Sequence, residues 1–143
     1  MAPKKPLWTC ARCGHRFVTR NLWHSCVRVR LADHFKGKDP IVRTLFNQWR
    51  ALARSMGPVT VYAQKSRIVF MVRVRFGGAI VRKDWLEARL WLKRRADHPT
   101  LYKTESYGAL GYGLHFRITR REDIDADLET LMRAAYRIGC QES

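Results

Sequence analysis

Two hydrophobic periods alternate along the chain, and their order predicts the architecture. Ile41, Leu45, Trp49, Leu52 and Met56 recur at i, i+4, i+8, i+11 and i+15, the apolar face of a helix from 41 to about 56. Asp39 is a natural N-cap and Pro40 a natural first helical residue. Gly57-Pro58 ends the helix. The period then drops to two. Val59, Val61 and Ala63 alternate with Thr60, Tyr62 and Gln64. Over 67–76, Ile68, Phe70, Val72, Val74 and Phe76 face one way and Arg67, Val69, Met71, Arg73 and Arg75 the other. Gly77-Gly78 predicts a two-residue hairpin turn, and Lys83-Asp84-Trp85 a second tight turn. Leu86, Ala88, Leu90 and Leu92 then alternate with Glu87, Arg89, Trp91 and Lys93. After a loop over 97–113, Leu114, Phe116 and Ile118 alternate with His115, Arg117 and Thr119. Such runs are half-buried antiparallel strands. The helical period returns with Ile124, Leu128, Leu131, Ala135 and Ile138. Thr119-x-x-Glu122 offers a capping box at its start, and Gly139 a stop at its end. The expected fold is α+β: a small N-terminal zinc finger, then an antiparallel β-sheet packed on helices at its N- and C-terminal ends. The boundaries are 1–28 for the zinc-finger-like segment and 29–143 for the α+β domain.

The first segment owes its reading to chemistry rather than periodicity. Cys10, Cys13, His24 and Cys26 form two ligand pairs, Cys-x2-Cys and His-x-Cys, ten residues apart. Zn²⁺ takes four nitrogen or sulfur ligands in a tetrahedron. The first pair fits a tight knuckle with Gly14 at its turn. The second pair reaches one metal if the chain is extended, because side chains at i and i+2 then share a side. Phe17 and Leu22 supply a small core. His15 is a competing nitrogen for His24, and three reduced cysteines without metal are the alternative, in a segment poor in apolar residues to bury them. A reducing, cytoplasmic setting is expected. The opening Met-Ala-Pro-Lys-Lys-Pro lacks the apolar stretch of a secretory signal, and no run approaches the ~18 apolar residues of a membrane span.

Charge adds a partner class. The formal net charge is +16 and is unevenly placed: residues 1–100 hold 22 basic and 5 acidic residues, and 101–143 hold 6 and 7. Such a field draws polyanions, nucleic acid above all. Arginine outnumbers lysine 20 to 8, which biased codon usage explains; the scarcity of acids it does not. The sheet's polar face is expected to carry Arg67, Arg73, Arg75, Arg89, Lys93, Arg95 and Arg117, with Trp91 and His115 among them. Basic groups neutralise phosphates and a flat aromatic stacks a base. The alternatives are a merely solvated face and a Trp91 covered by the 97–113 loop with its Tyr102, Tyr107 and Tyr112. Catalysis has weak support. Asp84, Glu87 and Arg89 distantly resemble a metal-dependent nuclease core, but Asp84 falls in an expected turn. Lys65-Ser66 on a strand point to opposite faces.

The body resembles the bacterial family known as domain of unknown function 5655. The resemblance rests on Gly57-Pro-Val-Thr-Val, Lys65-Ser-Arg-Ile-Val-Phe70, Val81-Arg-Lys-Asp-Trp-Leu86, Leu90-Trp-Leu-Lys, Asp97-His-Pro99 and Glu122-Asp-Ile-Asp125, across about residues 29–138. The stretch Asn21-Leu-Trp-His-Ser-Cys26 with its upstream Cys-x2-Cys-Gly resembles a finger that precedes this body in some members. The resemblance implies a small α+β domain of double-wing type, some of which are suspected DNA binders, and implies no activity. Two readings follow: a zinc-containing nucleic-acid-binding or regulatory module, or a structural or adaptor protein that binds a protein or an acidic ligand.

Overall fold

The computed structural model describes Lys4 and residues 6–11, 16–18 and 29–142. Strands β1 (Trp8–Thr9) and β2 (Arg16–Phe17) form an antiparallel pair, with Trp8 opposite Phe17 and Thr9 opposite Arg16. A short 3-10 turn, Leu31–Phe35, leads into helix α1, Pro40–Ser55. Asp39 caps α1 as expected: its carboxylate accepts from the Ile41 N–H at 2.9 Å. Six strands follow: β3 (Thr60–Ala63), β4 (Ile68–Met71), β5 (Arg75–Val81), β6 (Leu86–Leu92), β7 (Leu101–Ser106) and β8 (Tyr112–Ile118). They make one sheet in the order β3-β4-β5-β6-β8-β7, every neighbour antiparallel. Helix α2, Ala126–Gly139, closes the chain.

Both helices lie on one face of the sheet. The core there joins Phe46, Trp49, Phe70, Phe76, Phe116 and Leu131 with the inward aliphatics of β4, β5, β6 and β8. Burial of that apolar area is the main stabilising term. Neither helix covers the opposite face. At the β3–β4 end it is covered: Trp8 and Phe17 of the N-terminal hairpin pack on Tyr62, Val69 and Met71.

Five local expectations are corrected. Residues 67–76 are not one strand. The chain turns after Met71, where Arg73 N–H and Val74 N–H donate to the Gly139 carbonyl at 2.9 and 3.1 Å. A distant helix end holds this turn, so no local pattern marks it. Gly77-Gly78, read as a hairpin turn, lies within β5, opposite Leu90 and Arg89. At Gly78, φ is +151° and a Cβ would sit 2.0 Å from the Ile68 carbonyl oxygen, so the tight pairing of β4 and β5 requires glycine. The buried face of α1 is Val42, Leu45, Phe46, Trp49 and Ala53, with Ile41 36% exposed. The rotation lets Phe46 meet Phe35 and Phe70 and lets Trp49 Nε1 donate to the Gly78 carbonyl at 2.9 Å. Finally, the Thr119/Glu122 box does not open α2. Asp123 accepts from the Thr119 and Arg120 N–H groups, and Asp125 caps the helix by accepting from Leu128 N–H at 2.9 Å. The 97–113 loop also contains an unforeseen edge strand, β7, whose polar sequence Leu-Tyr-Lys-Thr-Glu-Ser has no apolar alternation to announce it.

Candidate functional site

On the face away from the helices, the alternation of β5 and β6, with Arg67 just before β4, brings one group of basic residues together. Arg67, Arg75 and Arg89 line a cavity of about 340 Å³ whose wall is Trp91 and Tyr107. Gly78, between Val69 and Arg89 across the strands, and Gly113, opposite Trp91, have no side chains to fill it. No carboxylate lines the cavity among the described residues. Arg67 Nε donates to Gln64 Oε1 at 2.9 Å and Arg75 Nε to the Tyr62 hydroxyl at 2.7 Å, which leaves their terminal nitrogens for other acceptors. Arg75 also stands 5.8 Å from the Phe17 and Tyr62 ring centroids, so the N-terminal hairpin flanks the cavity. The cations are close enough to oppose one another: burial first, then the charges of Arg89 and Arg75, lower the Arg67 pKa.

The aromatic wall is a pair. Trp91 and Tyr107 rings lie 4.9 Å apart at 31°, so the loop tyrosine does cover one side of the indole. Tyr107 itself is 43% exposed. Its hydroxyl donates to Glu105 Oε2 at 2.7 Å, which raises its pKa against the opposing charges of Arg89 and Arg67. Glu105 begins a polar chain along the sheet. Its Oε1 lies 2.9 Å from His115 Nε2, in a contact not aligned as a hydrogen bond. His115 Nδ1 donates to Glu87 Oε2 at 3.0 Å. Arg82 Nη2 at 2.8 Å and the Tyr102 hydroxyl both donate to Glu87 Oε1. Glu87 is 2% exposed and His115 4%. Burial alone would raise the Glu87 carboxyl, but the bonds from Tyr102, Arg82 and His115 outweigh it and bring it from 4.5 to about 2. Burial and the bond to Glu87 push the Tyr102 phenol up to about 12.

This chain of acids divides the face that was expected to be basic throughout. Arg117 lies beyond it, its guanidinium 4.7 Å from the Trp85 ring centroid. Arg73 belongs to the turn after β4, and its Nε donates to Gln141 Oε1 at 2.8 Å, at the end of α2. Lys93 follows β6, with Nζ 3.4 Å from the Leu110 carbonyl, and Arg95 stacks on Tyr112 at 5.0 Å. Lys93, Arg94 and Arg137 line a second cavity of about 800 Å³, which meets the first at Arg75 and Trp91. Of the residues expected to contact nucleic acid, Arg67, Arg75, Arg89 and Trp91 therefore share one cavity, Lys93 borders the next, and Arg73, Arg95 and Arg117 lie apart. Tyr107 and Glu105 were not foreseen as site residues; a Tyr-rich loop after a basic strand was the available signal. His98, in the Asp97-His-Pro99 stretch, is buried, with Nε2 2.9 Å from Asp125 and Nδ1 2.7 Å from Thr100 Oγ1. It ties the start of β7 to the cap of α2.

Cys10 is buried at the end of β1. Cys13, His24 and Cys26, and the competing His15, lie outside the described residues. The β1–β2 pairing brings together the two flanks of the Cys-x2-Cys pair, as a knuckle needs. In the faint nuclease pattern, Asp84 is exposed on the turn before β6, while both oxygens of Glu87 are engaged.

The domain is thus an α+β layer with an open sheet face that carries an arginine- and aromatic-lined cavity. The chain belongs to the family described as Domain of unknown function (DUF5655), whose model matches residues 31–139, the whole span from the turn before α1 to the end of α2. No curated protein and no solved structure matches it. Among the described residues, no helix is long and apolar enough to cross a membrane.

Proposed function

We infer that the protein is a zinc-containing nucleic-acid-binding module that engages phosphates on the open face of its sheet. The observation that carries this reading is the cavity shared by Arg67, Arg75 and Arg89, with two adjacent, mutually tilted aromatic rings and no acid in its lining among the described residues. Three guanidiniums held together without a carboxylate repel one another until an anion arrives, and guanidinium forks match phosphate oxygens. The net charge of +16 adds long-range attraction for a polyanion. Zinc, on Cys10, Cys13, His24 and Cys26, is structural in this reading. It fixes the hairpin whose Trp8 and Phe17 cover the β3–β4 end of the face and whose Phe17 flanks Arg75.

A titration against duplex DNA, single-stranded DNA and RNA at several salt concentrations tests the reading. Affinity that falls steeply with salt for at least one class supports it. Weak, salt-independent binding to all three removes it and leaves the adaptor reading. Elemental analysis of unchelated protein tests the metal. One zinc per chain, released by Cys10→Ser, is expected; protein without zinc ends that part of the proposal.

A further inference from the structure

The shape of the arginine cavity narrows the kind of nucleic acid. A duplex presents a convex backbone with its base faces stacked inside, so it offers phosphates but no ring to an aromatic wall. Here the aromatic wall stands beside the arginines. One face of Tyr107 lies against Trp91 at 4.9 Å, the ring is 43% exposed, and its hydroxyl is held by Glu105 at 2.7 Å. A ring fixed at both its back and its tip loses little freedom when a base stacks on it. The cavity, about 340 Å³, lies at the lower end of the range of small-ligand sites, ~300–1,000 Å³. Arg89 forms no hydrogen bond or ion pair among the described residues, although it stands near enough to Arg67 and Tyr107 to shift both by its charge. The second cavity meets the first at Arg75 and Trp91, and its lining includes Lys93, Arg94 and Arg137 together with Glu142.

We propose that the cavity takes one unpaired nucleotide of a single strand, its phosphate on Arg67, Arg75 and Arg89 and its base on the open face of Tyr107. This rests on the nucleic-acid reading above and specifies its ligand. The strand continues toward Lys93 and Arg94, so a short oligomer binds better than a mononucleotide.

The test uses the full chain and two end-labelled probes, a thymidine single strand of about ten nucleotides and a duplex of the same length. The single strand is expected to bind more tightly than the duplex at equal salt. Tyr107→Ala should weaken the single strand about tenfold and leave the duplex unchanged, whereas Tyr107→Phe should keep single-strand affinity within about twofold. A single strand carrying 5-iodouracil, irradiated on the wild-type protein, gives a readout that needs no variant: cross-links are expected on the peptide containing Tyr107 or on that containing Trp91. Salt-dependent binding of both probes that ignores Tyr107, with cross-links confined to other peptides, would overturn the nucleotide site and leave the basic face standing. Failure of the wild type to bind either probe would remove both.

Discussion

Glu87→Gln is the perturbation whose consequence can be worked most fully from the structure. The carboxylate is 2% exposed and accepts from Arg82, Tyr102 and His115. Folding lowers its pKa from 4.5 to about 2. A shift of that size corresponds to about 3 kcal/mol of stability at neutral pH. Because the folded value is the lower one, the contribution is complete above the unfolded value of 4.5 and is lost as pH falls through about 2. Glutamine keeps the shape but removes the charge that Arg82 and the phenol share. The assay is urea unfolding, followed by tryptophan fluorescence, of both proteins at steps from about pH 7 to about pH 2. The variant should be about 3 kcal/mol less stable at neutral pH, and the difference should shrink toward zero at the acid end. The other depressed carboxyls, Asp33, Glu105, Asp123 and Asp125, act in both proteins and largely cancel in the comparison. A difference that stays constant from neutral to acid would refute the reasoning, since it would show that charge on Glu87 contributes nothing.

Gly78→Ala places a Cβ 2.0 Å from the Ile68 carbonyl oxygen at a φ of +151°, and should cost about 3–5 kcal/mol, read as a lower urea midpoint. Asp125→Ala removes the α2 cap and the Nε2 partner of buried His98; a loss of about 2–3 kcal/mol is expected, with Asp125→Asn recovering most of it in thermal melts. Trp49→Phe leaves the Gly78 carbonyl without its indole donor and should cost about 1–3 kcal/mol by the same assay.

What the sequence reveals here depends on whether the cause is local. Asp39-Pro40 and Gly57 mark α1 because caps act within one turn of the chain. The alternation of Leu86 to Leu92 and of Leu114 to Ile118 gives β6 and β8 because each strand shows one face to the helices. Gly77-Gly78 misleads because the same conformational freedom serves a turn or a close strand crossing, and only the position of Ile68 decides between them. Arg73 leaves the face because Gly139, sixty-six residues later, holds the turn that redirects it. The candidate site divides in the same way. Arg75, Arg89 and Trp91 follow from strand alternation. Arg67 joins them by register, while Tyr107 and the Glu105–His115–Glu87 chain depend on β7, which pairs with β8 at an edge and carries no pattern of its own.

The central claim is that the three arginines of one cavity contact phosphate. The most direct test is the salt dependence of single-stranded DNA affinity for the wild type and for the combined Arg67→Gln, Arg75→Gln and Arg89→Gln variant, with circular dichroism confirming that both are folded. Each phosphate contact on a single strand contributes about 0.7 to the slope of log affinity against log salt. The three arginines share one phosphate, so their combined loss should lower the slope by about 0.7 and weaken binding sharply at low salt. Equal slopes and equal affinities for the two folded proteins would contradict the account.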